Sequence, residues 1–168
     1  MIKREKSIEL LNKAVAEELA AVHQYMYFHF RLDDMGYDFL ANQFKRTGIA
    51  EMMHAEKLAE RILFLKGEVE MKVAFPVEKI HDVKGMLVKA EQMEADTINH
   101  YNQWAKECAE QMDSATKSLF EELVVEEETH QDNFDTEIGN MDNFGDNYLA
   151  LQSIERSRNL AQGTSAEK

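Results

Sequence analysis

Two copies of one short pattern constrain this chain more than anything else in it. Glu51-Met52-Met53-His54 and Glu127-Glu128-Thr129-His130 are each Glu-x-x-His, and each follows a glutamate, Glu18 or Glu94, by the same 33 residues (51 − 18 and 127 − 94). On an α-helix, residues three apart share a face, so each pattern sends a carboxylate and an imidazole into the same volume. The chain thus carries one ligand set twice, and equal spacing in both halves suggests a pseudo-two-fold bundle with the site between two helical hairpins. No sequence repeat is evident beyond these residues.

Such a pattern needs long helices. Seven glycines and one proline stand in 168 residues, few enough for breakers to act as punctuation. A first helix is expected over about 4–34, a turn at Met35-Gly36-Tyr37, a second helix over about 38–66 and a stop at Gly67. From Glu68 to about His81 the helical period is lost, β-branched residues enter and Pro76 falls inside. A connection of that length can cross a bundle from end to end, so the third helix is expected to start beside a parallel neighbour. It should cover about 83–112, with Asp113 or Ser114 capping a fourth helix that runs to about 142; Gly145 then separates a short last helix over about 146–157. The fold class is all-α: a four-helix bundle with one long crossover between the second and third helices and a short fifth helix. Residues 1–157 read as one domain and 158–168 as a polar tail without fixed structure.

The acids fall where a core is expected. Ile8, Leu11, Val15, Glu18, Val22, Tyr25, His29 and Leu32 step by three and four along the first helix, the spacing of a packed seam with Glu18 in its middle. The second helix gives Leu40, Phe44, Thr47, Glu51, His54, Leu58, Ile62 and Leu65. The third gives Leu87, Ala90, Glu94, Ile98, Tyr101, Ala105 and Cys108, and the fourth gives Phe120, Leu123, Glu127, His130, Phe134 and Ile138. Burying even one unpartnered ionised carboxylate costs several kcal/mol, and four together also repel one another. Two divalent cations neutralise the four charges, while two neutral imidazoles add nitrogen donors without adding charge. Carboxylate with imidazole and no thiolate suits iron, manganese or zinc, with iron the first choice. On this reading Glu51 and Glu127 bridge two ions, Glu18 and His54 complete one, and Glu94 and His130 complete the other. Tyr25, two turns along the seam from Glu18, is placed to hydrogen-bond a ligand carboxylate.

Charge excludes several classes of partner. With 19 Lys and Arg against 32 Asp and Glu the formal net charge is −13, which repels nucleic acid and anionic membrane and attracts cations. Cys108 is the only cysteine, so no internal disulfide forms and a reducing cytoplasm is the expected compartment. Cys108 itself reads as a small buried apolar residue. Met1-Ile2-Lys3-Arg4-Glu5-Lys6 runs straight into charge and no apolar run approaches membrane-spanning length, so a soluble protein is expected.

In combination these residues resemble the bacterioferritins, the haem-containing members of the ferritin family. The resemblance is carried by Glu17-Glu18-Leu19-Ala20 with His23-Gln24-Tyr25, by Glu51-Met52-Met53-His54-Ala55-Glu56, by Glu60-Arg61-Ile62-Leu63-Phe64-Leu65, by Glu126-Glu127-Glu128-Thr129-His130 and by Asn147-Tyr148-Leu149-Ala150. It implies a ferritin-like bundle assembled from two-fold dimers into a cage of twenty-four subunits. The implied activity is a ferroxidase that oxidises Fe(II) at a di-iron centre with O2 or H2O2 and stores ferric mineral inside. The ferroxidase ligands it implies are the same six residues, Glu18, Glu51, His54, Glu94, Glu127 and His130. It also implies haem, ligated at a two-fold subunit interface by the methionine inside the first motif. Here that is Met52, about 100° around the helix from Glu51, with Val22, Met26 and Ile49 as an apolar wall and Lys45 in reach of a propionate. A small electron-transfer protein is the implied partner for releasing stored iron.

The chain departs from the resemblance in places. Arg46 and Ala50 stand where some relatives carry iron-binding groups facing the cavity, so no inner-surface iron station is expected, and the segment from Glu68 to Lys79 is also unlike those relatives. His23, His29, His81 and His100 match no ligand position and read as structural or solvent-facing. Two other readings use the same bundle. A rubrerythrin-like di-iron peroxidase normally adds a cysteine-rich iron domain, which one cysteine cannot build. A DNA-protecting mini-ferritin typically has a basic tail and ligands shared across subunits, whereas Lys3, Arg4 and Lys6 are the only basic cluster here.

Overall fold

The computed structural model describes residues 4–163 as five helices, α1 Glu5–Met35, α2 Asp38–Phe64, α3 Val83–Glu110, α4 Ser114–Phe144 and α5 Asp146–Ala161, with no strand among the described residues. α1 pairs with α2 as one hairpin and α3 with α4 as another. The class matches the expectation from the sequence, while individual helix ends move by one to four residues.

Three of those ends share one device. Gly36, Lys66 and Met112 take left-handed backbone angles, with φ of 84°, 63° and 56°. In each case the next N–H reaches back five residues: Tyr37 to Leu32 O, Gly67 to Ile62 O and Asp113 to Cys108 O, all at 2.9 Å. This closure satisfies carbonyls that a helix end would otherwise leave orphaned. Gly67, expected as the stop, is therefore one residue past the left-handed position. Its lack of a side chain serves a close approach instead, because a Cβ there would lie 2.7 Å from Ile8 Cγ2. Asp113 caps α4 and gathers Arg4, Arg61 and Thr116 around its carboxylate.

Residues 65–82 form the crossover. Asn12 donates to Glu68 O at 2.9 Å and accepts from Glu70 N at 2.8 Å. Gln24 repeats this with both backbone groups of Glu78, at 2.9 and 2.8 Å, and Ala74 N bonds Ala16 O between them. The order 12, 16, 24 against 68, 74, 78 means that the connection climbs along α1, about 18 Å for those twelve helical residues. Two side-chain amides thus supply pairing that an isolated extended segment lacks. α3 starts at the far end and runs parallel to α2, as the length of the connection suggested.

The core splits into two apolar clusters. One gathers Leu11, Val15, Leu58, Ile62, Trp104 and Phe120, the other Tyr25, Phe28, Leu32, Phe44, Leu87 and Phe134. Between them lies the layer of buried acids. The α1 seam deviates from the expectation at Val22 and His29, which are half-buried while Phe28 is fully buried. A regular three-four step drifts about 20° per heptad against a straight helix. His29 instead donates from Nδ1 to Ala41 O at 2.9 Å, tying α1 to α2.

α5 corrects the expected boundary at residue 157. It continues to Ala161 because no breaker intervenes before Gly163, whose φ is 69°. Arg156 anchors the helix to Asp38 and to the Asp33 carbonyl, both at 3.3 Å. Residues 158–161 are thus helical, and the remainder of the expected tail, 164–168, lies outside the described residues. No described helix is long and apolar enough to cross a membrane.

Candidate metal centre

Midway along the bundle the four seams meet. Each helix contributes one acid, and the i, i+3 spacing on α2 and α4 adds an imidazole to two of them. Glu18, Glu51, His54 and Glu127 form one group, and Glu51, Glu94, Glu127 and His130 a second; in each, one donor atom per residue lies within 4.8 Å of all the others. Glu51 and Glu127 belong to both groups, as residues bridging two ions would. All six sequence-derived candidates are therefore brought together, five fully buried and His130 with 14 % of its side chain exposed.

The distances describe a coordination polyhedron better than a hydrogen-bond network. His54 Nδ1 lies 2.9 Å from Glu51 Oε2 and 2.9 Å from Glu127 Oε1. His130 Nδ1 lies 2.9 Å from Glu51 Oε1 and 3.0 Å from Glu127 Oε2. One ring nitrogen carries at most one hydrogen and cannot donate to two carboxylates at once. Both Glu51 oxygens are buried without a hydrogen-bond partner, which is costly unless something else satisfies them. Ligands about 2.1 Å from a first-row divalent ion stand about 3 Å from one another. Carboxylate and imidazole donors at that mutual spacing fit such ions.

The electrostatics point the same way. Burial, together with the Glu127 and Glu51 charges, holds Glu18 well above the usual carboxylate range, and burial with Glu51 and Glu127 does the same to Glu94. Burial also acts to raise Glu127, but hydrogen bonds from His130 and His54 prevail and take it down to about 2. Burial opposes charging of both imidazoles, yet contacts to Glu127 and its neighbours push His130 up to about 10 and raise His54 as well. Without metal, the cluster keeps its acids buried by holding protons, and divalent ions would replace those protons.

Two tyrosines cross between the hairpins. Tyr25 on α1 donates to Glu94 on α3, and Tyr101 on α3 donates to Glu18 on α1. Tyr25 was expected to meet a ligand carboxylate; Tyr101 was seen only as a seam residue. The signal was present, because each tyrosine follows a ligand glutamate by seven residues (25 − 18 and 101 − 94). Glu126 was also missed as a partner, and its Oε2 lies 2.8 Å from His54 Nε2. Two pockets reach the layer from opposite sides. One of about 360 Å³ passes Glu17, Asp96 and His100 and is roofed by Phe75 and Glu78 of the crossover. The other, about 440 Å³, opens between α2 and α4 onto His130, Arg46 and Asn133.

Residues outside the layer separate clearly. Met52 is 51 % exposed, on an α2 face shared with exposed Ile49, and Gly48 lets the Met26 sulfur of α1 approach that helix. His100 pairs with Glu17 at 2.9 Å and stacks on Trp104, and His23 and His81 are exposed. Cys108 is buried and unpaired, as expected.

A helical bundle enclosing a carboxylate and histidine cluster at mid-height defines the ferritin-like class, and the family model for the ferritin-like domain matches residues 8–144. Among curated relatives, a bacterioferritin of Desulfovibrio desulfuricans is 42 % identical over 88 % of this chain and 83 % of its own length. One from Rhodobacter capsulatus is 36 % identical over 87 % and 91 %. The solved Desulfovibrio desulfuricans structure, described as showing the diiron site in different catalytic states, superposes with a TM-score of 0.88 at 41 % identity, covering 89 % of this chain and 88 % of that one. The Rhodobacter capsulatus structure, described with a metal-free dinuclear site and haem iron in a crystallographic special position, gives 0.86 at 33 % identity over 91 % and 96 %. The chain belongs to the bacterioferritin family.

Proposed function

We propose that this chain is an iron-storage ferroxidase that oxidises Fe(II) at a di-iron centre within each subunit, with O2 or H2O2 as acceptor, and stores ferric mineral inside a homo-oligomeric cage. The observation that carries the reading is the pair of overlapping donor groups that share Glu51 and Glu127, with both Glu51 oxygens left for a cation. Glu51 and Glu127 would bridge two irons, Glu18 and His54 completing one and Glu94 and His130 the other. Iron held there supplies the electrons that the acceptor takes up. The protein's part is electrostatic and positional. Four buried carboxylates favour the more highly charged ferric state. Tyr25 and Tyr101 each donate a hydrogen bond to Glu94 or Glu18 and so fix the orientation of those carboxylates. The net charge of −13 and the acids of the smaller pocket draw Fe(II) inward.

Haem completes the reading. Met52 would offer its thioether to a haem shared by two copies of the chain, with Val22, Met26 and Ile49 as the apolar wall and Lys45 near a propionate. The exposed Met52 and Ile49 support this, as does the Rhodobacter capsulatus relative, whose haem iron occupies a special position and hence a symmetry element. A cytoplasmic cage of twenty-four subunits built from two-fold dimers, served by a small electron-transfer protein that reduces the store, is the corresponding assembly. Glu127→Ala should abolish fast Fe(II) oxidation while size-exclusion chromatography still returns the assembled particle; an unchanged rate would remove the site assignment. A Soret band in the purified protein that is lost in Met52→Leu tests the haem ligand.

A further inference from the structure

The two halves of the centre are related by a constant step of 76 residues: Glu18 to Glu94, Tyr25 to Tyr101, Glu51 to Glu127 and His54 to His130 (94 − 18, 101 − 25, 127 − 51, 130 − 54). One residue behind the bridging glutamates the relation fails, because Glu126 corresponds to Ala50 (126 − 50). The failure has a structural consequence. His54 is gripped at both ring nitrogens, with Nδ1 facing the metal donors and Nε2 lying 2.8 Å from Glu126 Oε2. Glu126 is itself tied by its other oxygen to Lys57 Nζ at 2.8 Å, and Lys57 also holds Glu122 at 2.9 Å. The corresponding positions around His130 are Ala50, Asn133 for Lys57 and Arg46 for Glu122, each 76 residues away. Among the described residues the polar contacts of His130 run through Nδ1, and its ring borders the open pocket with Arg46 and Asn133.

We propose that Glu126 is the positioning residue for the His54 half of the centre and that, with Ala50 in the equivalent place, the two metal stations are unequal: the ion on Glu18 and His54 is held more tightly than the ion on Glu94 and His130. This rests on the di-metal reading above. Once an ion takes the place of the Nδ1 proton, a carboxylate accepting the Nε2 hydrogen holds the ring with its Nδ1 lone pair turned toward the ion among Glu18, Glu51 and Glu127, and increases the ring's donor strength. Lys57 keeps that carboxylate from swinging to solvent. His130 receives neither effect, so its ring must be oriented by its metal contacts alone.

The test is anaerobic titration of the metal-free assembled protein with Co(II), a spectroscopic stand-in for Fe(II), read by visible absorption and calorimetry. Wild type should bind two ions per subunit in two steps whose affinities differ by about 10- to 100-fold. Glu126→Ala should weaken the tighter step toward the weaker one and leave the weaker step unchanged. Glu126→Gln, which keeps an acceptor oxygen, should recover part of the loss. Lys57→Ala should give a smaller shift in the same step, and Ala50→Glu should strengthen the weaker step. Thermal unfolding followed by circular dichroism confirms that each variant is folded. Two steps of unequal affinity that Glu126→Ala leaves in place, or weakens equally, would overturn the role of Glu126. Wild type binding two ions with indistinguishable affinities would overturn the inequality. Wild type binding fewer than two ions would overturn the di-metal reading itself, and this inference with it.

Discussion

The two hairpins, α1 with α2 and α3 with α4, match around the candidate metal layer and at a few core positions, and differ on the faces turned away from it. Beyond the ligands and tyrosines, Leu11 and Leu87, Ala14 and Ala90, and Phe44 and Phe120 also stand 76 residues apart, and all of these are buried. At partly or largely exposed positions the match disappears: Met52 faces Glu128, Ile49 faces Val125 and Ala50 faces Glu126. The matched acids, imidazoles and tyrosines surround the candidate centre, and these three apolar pairs carry the correspondence into the clusters on either side of it. The hairpins thus correspond most closely at the layer of buried acids and diverge away from it.

The largest effect should come from breaking the shared core. Phe44→Ala and Phe120→Ala each remove a fully buried ring from equivalent positions, and each should lower stability by about 3–5 kcal/mol in denaturant titration. A much smaller loss for one of them would show that its cluster collapses where the other cannot. Next come Glu51 and Glu127, the carboxylates proposed to bridge the two ions. Glu51→Ala and Glu127→Ala should each slow iron oxidation by more than about 100-fold, and to similar extents. Stopped-flow absorbance checks both; a large difference would mean that only one of them bridges.

Asp113 sharpens the contrast at the hairpin turns. It closes the α3–α4 turn with a carboxylate, whereas the equivalent place in the α1–α2 turn is Tyr37 (113 − 76). Burial works against the Asp113 charge, but hydrogen bonds from Thr116, Ser7 and Arg4 hold its carboxyl down at about 2. A carboxyl depressed in the folded state stabilises above its unfolded pKa of about 3.9, and that contribution is lost as pH falls toward 2. Asp113→Asn should therefore cost about 2 kcal/mol near neutral pH, and its stability should converge on wild type in acid. A gap that persisted at pH 2 would assign the loss to geometry and not charge. The smallest expected effect is paired: Tyr25→Phe and Tyr101→Phe should slow oxidation by up to about 10-fold and nearly equally, measured in the same assay.

Much of this was legible in the residues because helix geometry converts spacing directly into direction. The doubled Glu-x-x-His and the two upstream glutamates located the centre, and the loss of helical period after Gly67 located the crossover. Helix ends were less legible. Lys66 and Met112 adopt left-handed angles that sequence assigns to glycine, because the hydrogen bonds they close and the packing beyond them outweigh the steric cost. Contacts between distant segments were not legible at all. Asn12 and Gln24 gave no sign that they would pair with the crossover backbone, since neither partner carries a motif. Tyr101 and Glu126 could have been found by carrying the 76-residue step past the ligands, which exposes both the tyrosine that matches and the acid that does not.

On the proposed function each subunit holds two irons between the hairpins and oxidises them together. The direct measurement is to load metal-free protein with increasing Fe(II) under anaerobic conditions, admit O2 and follow the ferric absorbance. The expected result is a fast phase whose amplitude saturates at two Fe(II) per subunit, one for each donor group, and which vanishes in Glu51→Ala and in Glu127→Ala. A fast phase that saturates at one Fe(II) per subunit, or that survives in either variant, would contradict it.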